Sequence, residues 1–557
     1  MTDSTAKTPD GIATSSQLAI GRWLLAGAFL IPLGIGLSAW ILGRPWLSSD
    51  TATGLLAWLD WRAGGPWNCI MAPDPANLAH NVPQWVSWWS PGQYAWLGSF
   101  MSMGLSVGGA MVISAVIASW VRSTGLYFLL RRFGCSSGAS GLAALVEAGN
   151  WQLFYSFGMY TGGEVLQAAW LPWLLLALEA LRRRSPIWWL FALPVLFFAS
   201  VFAKHSMWFV VVGGAAWLFM DAWRSQPRTW TRWLSRGIIL AFSIAVVRFL
   251  SNHWLTQGGP TPGTLSPAFH PTLISTAYPV AAPFLGATGI SSIFGRIFLL
   301  RGLTAESGWK QFLPVLFALA AVAATAYLLV LQKLPHRSLA RLLGLLLAVY
   351  ISGFMVLYAG GASVSLEDRH FRPVAILLIA ALAVLICDTI SLTRSWQYSL
   401  RALAFSMVFY GLATSAQRIW HLHAMNHVGQ AGFTLPDTSP TVIAEIRRLD
   451  KTTATRGGIM FFPEPTLCLE APLCRKISTD AMARPMPWFT ERSWRGRVPS
   501  LTVMIPESWS NDPRLTALLA CFVDYAPGEW RRRTIDGWLF ITAEAPTSYA
   551  YSSLSYR

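Results

Sequence analysis

Residues 20–42 read IGRWLLAGAFLIPLGIGLSAWIL, and residues 43–50 read GRPWLSSD. The first segment is long and apolar enough to cross a bilayer, which takes about 20 such residues. The second places a carboxylate, Asp50, just beyond the membrane edge. Ten further apolar segments follow, near 99–121, 137–158, 164–181, 186–203, 207–222, 237–252, 312–331, 342–360, 373–393 and 401–418. The expected class is therefore an α-helical polytopic membrane protein with about 11 transmembrane helices. Composition agrees: 54% of the 557 residues are hydrophobic and 12% charged, against about 25% charged in soluble domains. That balance excludes a disordered chain, a disulfide miniprotein, a coiled coil and a single soluble globule. The polar N-terminus, Met1 to Gln17, lacks the apolar core and cleavage site of a secretory signal.

The net charge of +16 divides into +14 over residues 1–418 and +2 over 419–557. The excess thus sits among the apolar segments, as topology requires, and no nucleic-acid motif or partner is indicated. With the N-terminus inside, the inside loops carry Arg122, Arg131 and Arg132; Arg182 to Arg184; Arg224, Arg228, Arg232 and Arg236; Lys333, Arg337 and Arg341; Arg394 and Arg401. The short outside loops carry only Lys204, Arg369 and Arg372. This bias sets one orientation: N-terminus cytoplasmic, residues 419–557 outside. Two outside loops are long, 43–98 and 253–311. The first is rich in Trp, which favours the interface, and contains an amphipathic helix over Thr51–Arg62. The second holds an apolar, interfacial stretch at Ile290–Leu300. Residues 419–557 form a small extracytoplasmic α/β domain, with helices near 441–449 and 514–519 and strands near 458–462, 501–505 and 534–542.

Charges that apolar flanks would otherwise exclude are the candidates for chemistry. Asp50 stands first; it also reads as the N-cap of the helix after it. Asp60 reads as a partner of Arg62 or a solvated residue, and Asp74 as a turn residue. The segment Glu367-Asp368-Arg369-His370-Phe371-Arg372-Pro373 gathers three potential cations, and an Arg fork suits a phosphate; snorkelling to headgroups is the plainer reading. Lys204, His205 and Arg248 extend the patch. Glu147 reads as a partner for a neighbouring helix, Glu164 as a cap, and Asp388 as a partner of Arg394. His421, His423 and His427 read as an exposed linker trio. Among the cysteines, Cys135 and Cys387 fall inside. Cys69, Cys468, Cys474 and Cys521 fall outside, with Cys468–Cys474 the favoured disulfide. No CxxC or HxxxH spacing marks a zinc site, so no metal ligand is assigned; no cofactor is certain, though a divalent cation is possible.

An acid facing a cationic patch suits transfer of a sugar from a polyprenyl phosphate. The departing phosphate is a stable anion, so the reaction needs cations to hold it and a carboxylate to take a proton from the attacking hydroxyl. Attack from the opposite face inverts the anomeric centre.

The stretch Ser49-Asp50, the helix to Arg62, Gly64-Gly65-Pro66-Trp67-Asn68 and Trp89-Ser90-Pro91-Gly92-Gln93-Tyr94 resembles the GT-C membrane glycosyltransferases. It is most similar to the branch with protein O-mannosyltransferases and the lipid A aminoarabinose transferase. Asn150–Glu164 resembles that family's second outside loop. The resemblance implies a GT-C-like bundle in a bacterial inner membrane, with Asp50 as catalytic base and Arg369, His370, Arg372 and Lys204 as the donor-phosphate site. Asp60, Asp74, Glu164 and Tyr94 would act on the acceptor or behind the site. Partners would be a polyprenyl-phosphate-sugar and a glycan, lipid or protein acceptor. In relatives an acidic pair replaces Ser49-Asp50, a Pro pair replaces Pro91-Gly92, and a Lys stands at Ser90. A transporter or flippase for lipid-linked precursors, a polymerase or ligase for diphosphate-linked glycans, and a non-catalytic assembly factor remain alternatives.

Overall fold

The structure is a computed structural model that describes residues 15–225, 230–266, 269–290, 305–389, 392–478, 494, 498–520, 522 and 530–544. The chain opens with α1 (Ser15–Ile41), β1 (Trp46–Leu47) and α2 (Ser49–Arg62). A hairpin, β2 (Cys69–Asp74) and β3 (Asn77–Trp85), leads to α3 (Gly92–Ser102) and α4 (Val107–Arg132). Then come α5 (Ser137–Ala148), α6 (Leu153–Phe157), β4 (Met159–Tyr160), α7 (Gly163–Leu181), α8 (Pro186–Ala203), α9 (Met207–Ser225) and α10 (Trp230–Leu250), the last ending in a π-helical turn, Ser251–Thr256. The bundle closes with α11 (Leu273–Thr288), α12 (Ala305–Lys333), α13 (Arg337–Ala359), a 3-10 turn (Asp368–Phe371), α14 (Arg372–Asp388) and α15 (Arg394–Met425). Among the described residues, eight helices are long and apolar enough to cross a membrane, and Met207–Met220 and Leu273–Thr288 are shorter apolar helices.

One expected span fails, and the reason lies in a distant loop. The segment expected to span at 137–158 is broken: α5 stops at Ala148, capped by Gly149. The side chains that follow are donors spent on another helix. Asn150 Nδ2 donates to Ala287 O at 2.8 Å, Trp151 Nε1 to Gly286 O at 2.9 Å, and Gln152 Nε2 to Gly286 O at 3.0 Å. Their acceptors are the last carbonyls of α11, which lack partners within their own helix. Within the expected loop 253–311, α11 is packed against the bundle. Pro279 and Pro283 lie inside that helix and argue against a helix in a sequence reading. The stretch Ile290–Leu300 lies outside the described residues beyond its first position.

The bundle has two distinct ends. At one end the turns after α4, α7, α12 and α14 converge: Arg132 lies 3.9 Å from Glu179, and His336 Nε2 lies 3.5 Å from Asp388. Asp388 therefore pairs with His336 and with the Ser136 N–H, where Arg394 was expected. Arg122, expected in a loop, is buried within α4 and paired with Glu147 of α5. The other end carries α2, the hairpin and the described residues of 426–544.

There β5 (Ile459–Phe462), β6 (Arg475–Ser478), β7 (Ser500–Pro506), β8 (Arg531–Ile535) and β9 (Trp538–Glu544) form one sheet in the order β6-β5-β7-β9-β8. The strand expected at 534–542 is two strands, the end of β8 and most of β9, joined by a tight turn where Asp536 and Gly537 both adopt positive φ. Helices α16 (Pro440–Thr455), α17 (Pro465–Cys468) and α18 (Pro513–Ala520) accompany it. Cys468 and Cys474 are buried and free rather than bridged. Cys468 ends α17, while the Cys474 N–H is held by Asp450 at 2.7 Å. Cys521 lies outside the described residues. One apolar core runs from Leu47 and Leu55 through Ile443 to Met460 and Phe540, so sheet and bundle are packed as one body.

Arg475 joins that sheet to the first loop. Its Nε and one terminal nitrogen donate to Asn81 Oδ1 at 3.0 and 2.8 Å, and the same terminal nitrogen donates to His80 O at 2.7 Å. A hydrogen bond to a charged group contributes about 1.5–3 kcal/mol net. Arg475→Ala should lower stability by about 2–3 kcal/mol and expose residues 69–85 to limited proteolysis; an unchanged thermal unfolding curve and cleavage pattern would contradict the docking.

Candidate functional site

Backbone pairing brings the two halves of the site together. β1 pairs in parallel with β4, Trp46 against Met159 and Leu47 against Tyr160, and the Ser48 N–H donates to Tyr160 O at 3.2 Å. The chain then turns into α2, and Ser48, not Asp50, is the N-cap: its hydroxyl accepts from the Thr51 N–H. Asp50 sits in the first helical turn, released from capping. Across from it, Gly162 has φ +62°, and a Cβ there would stand 2.9 Å from Gln93 O and 3.0 Å from Thr51 Oγ1. Glycine alone lets the head of α7 approach α2 this closely. Gly92 is equally constrained, since a Cβ would lie 2.4 Å from Phe202 O. The contact accounts for glycine where relatives are expected to carry a second proline.

Asp50, Glu164, Lys204, His205, Arg248, Arg369 and His370 all line one cavity of about 760 Å³. Glu164 opens α7 and is almost wholly buried. It forms an ion pair with Lys204, and an Arg369 guanidinium nitrogen lies 3.7 Å away. Arg369 also holds Glu367, at 2.5 Å. Burial without these partners would be prohibitive for a carboxylate. Burial pushes the Lys204 ammonium below its usual pKa, with Glu164 opposing. Burial also raises the Asp50 carboxyl above the ordinary aspartate value; Arg369, a hydrogen bond from the Trp89 side chain, and Lys204 pull it back. Burial lowers His205 to about 4, so its imidazole is neutral at pH 7.

The walls are aromatic and polar. Trp88, Trp89, Trp208 and Phe209 supply flat faces. Ser90 Oγ, Gln93 Nε2, Thr161 Oγ1, His205 Nε2 and Ser251 Oγ are buried in the cavity lining without a protein partner. Buried polar groups are nearly always satisfied, so this concentration is what a polar ligand would complete. Sequence reasoning found the charged residues through their apolar flanks; it had no signal for the polar ring, which is drawn from four separate segments.

The remaining expected site residues lie elsewhere. Arg372, expected beside Arg369, is buried at the head of α14, 1% exposed, and does not line the cavity; the helix begins at Arg372 itself, which packs it into the bundle. Asp60 accepts the Met71 N–H at 2.7 Å, not a contact from Arg62, and pins α2 to the hairpin. Asp74 makes a local turn, accepting from the Ala76 N–H at 2.9 Å. Tyr94 is buried behind the cavity and donates to Asn68. His423 contacts the carbonyl of Leu42 at the exit of α1, and His427 makes a local contact with the carbonyl of Pro436.

The architecture is the GT-C fold. Two solved structures that share it are ArnT from Cupriavidus metallidurans bound to undecaprenyl phosphate (TM-score 0.50, 10% identity, covering 94% of this chain and 97% of that one) and the Archaeoglobus fulgidus oligosaccharyltransferase in its apo form (TM-score 0.50, 11% identity, covering 95% and 75%). No protein-family model and no curated protein matches the sequence. The resemblance read from Ser49 to Tyr94 therefore holds at the level of the fold.

Glu164→Gln leaves Lys204 buried without its counter-charge, and breaking such a pair costs about 3–5 kcal/mol. The double variant Glu164→Gln/Lys204→Met should recover most of that loss in thermal unfolding. Equal destabilisation of single and double variants would show that the pair does not carry this end of the bundle.

Proposed function

We propose that this chain is an inverting membrane glycosyltransferase. It moves a sugar from a polyprenyl-phosphate donor to a glycan, lipid or protein acceptor at the outer face of a bacterial inner membrane. One observation carries the reading: a half-buried carboxylate, Asp50, shares an aromatic and polar cavity with Lys204, Arg248 and Arg369. The bound undecaprenyl phosphate of the C. metallidurans structure supports a lipid phosphate as the donor's carrier. The orientation rests on the basic residues of the opposite turns, which makes residues 419–557 periplasmic.

In this mechanism the donor phosphate lies against Arg369, Lys204 and Arg248, with His370 beside them. The sugar hydroxyls engage Ser90, Gln93, Thr161 and Ser251, and its ring lies against Trp88 or Trp89. Asp50 accepts the proton of the acceptor hydroxyl as its oxygen attacks the anomeric carbon, and the sugar–phosphate bond breaks to release lipid phosphate. Glu164 holds Lys204 and Arg369 in place and spares the cavity an unbalanced positive charge. The raised pKa of Asp50 suits a base better than a free aspartate does. A transporter would need the cations of the cavity equally, but not a carboxylate facing them.

Asp50→Asn should lower kcat by about 10²–10⁴-fold while donor binding persists; full activity in that variant would exclude the assigned base. Activity should fall on acidification, as Asp50 takes up its proton at a pH above the ordinary aspartate range. In Arg369→Ala the main charge opposing protonation is gone, so the acid limb should move to higher pH and the donor KM should rise. A profile of kcat/KM against pH that is unmoved by Arg369→Ala would separate Arg369 from the base.

A further inference from the structure

Opposite the Asp50 cavity, three turns distant in sequence meet. Cys135 lies between α4 and α5, His336 between α12 and α13, and Asp388 ends α14. The Cys135 sulfur, a His336 ring nitrogen and an Asp388 carboxylate oxygen all lie within 4.8 Å of one another. Cys135 is fully buried; His336 is 23% exposed and Asp388 10%. The cluster is therefore closed on the bundle side and open on the imidazole side.

We infer that Cys135, His336 and Asp388 form a binding site for a divalent transition-metal ion of the zinc class. Thiolate, imidazole and carboxylate are a mixed set that suits Zn²⁺. In a tetrahedral site with bonds of about 2.0–2.3 Å, ligand atoms stand roughly 3.3–3.8 Å apart. The His336–Asp388 separation of 3.5 Å already has that value, and the sulfur needs only a small side-chain movement. A water on the open side completes four ligands. The charges balance: Zn²⁺ with one thiolate, one carboxylate and a neutral imidazole sums to zero, which suits a site at the edge of an apolar bundle.

Groups around the ligands are already arranged. The Ser136 N–H donates to Asp388 Oδ2 at 2.9 Å. Arg131 donates to the Cys135 carbonyl at 2.6 Å, fixing the turn that carries the sulfur. Such outer contacts orient metal ligands. Gly134 has φ +88°, and a Cβ there would stand 3.7 Å from His336 Nδ1, so the imidazole lies against this turn. Binding forms a zinc–sulfur bond and releases the thiol proton to solvent. Spacing rules do not detect the site, because each ligand comes from a different turn. Its role is a clamp: it ties the foot of α14, which follows the turn carrying Arg369 and His370, to two neighbouring turns. The inference does not depend on the transferase reading.

The test is a titration of the full-length protein in detergent, stripped with a chelator and then given Co²⁺ followed by Zn²⁺. One equivalent of Co²⁺ should produce a thiolate-to-cobalt charge-transfer absorption that Zn²⁺ displaces. Cys135→Ser should abolish it, His336→Gln and Asp388→Asn should weaken binding by about tenfold or more, and Cys387→Ser, at the exposed neighbouring thiol, should leave it intact. If Cys135→Ser does not fold, His336→Gln decides in its place. Absence of the absorption in folded wild-type protein would overturn the site, leaving a hydrogen-bonded turn only. So would its persistence in Cys135→Ser or its loss in Cys387→Ser.

Discussion

A carboxylate buried at the head of a membrane helix must be paired, and the pairing of Glu164 organises the cavity end of this protein. Glu164 opens α7, Lys204 ends α8, and Arg369 precedes α14. Three helix ends that are remote in sequence are therefore brought to one point by electrostatics, not by apolar packing alone. Two small residues let the rest close around them. Gly162 admits α7 against α2, and Gly92 admits α3 against the end of α8.

That arrangement leaves Asp50 unusual among the acids of the first loop. Asp60 and Asp74 spend their oxygens on backbone N–H groups nearby. Asp50 has no such duty, because Ser48 caps the helix for it. Its neighbours are instead an indole, two cations and a second carboxylate. The opposing influences keep the group ionisable while burial weakens its hold on the charged form, which is the compromise a base requires. The unpartnered hydroxyls and amide around it are a cost to the empty protein that a hydroxyl-rich ligand would offset.

Much of this was legible in the sequence, and the failures have physical causes. Long helices were visible wherever apolar residues ran unbroken, as at 186–203. They were misread where polar side chains serve another element: Asn150, Trp151 and Gln152 sit amid apolar flanks because the carbonyls of α11 receive their donors. Positions of charge were readable; their direction was not. Arg369 and Arg372 are three residues apart, yet one lines the cavity and the other is packed into the bundle. The hairpin at 69–85 escaped notice because its burial depends on Arg475, nearly 400 residues on. Hydroxyl groups converging from loops 43–98, 158–163 and 251–264 leave no local trace at all.

The 32-residue helix α15 passes the boundary expected at residue 418 without a break. At 1.5 Å per residue it is about 48 Å long, more than the roughly 30 Å of a hydrocarbon core. Its emergent turns are lashed to the exit of α1: His423 reaches Leu42 O, and Thr434 just beyond reaches Arg44 O and Pro45 O. The helix thus carries the chain past the hydrocarbon core toward the sheet without a break, and its far end is tied back to the exit of α1.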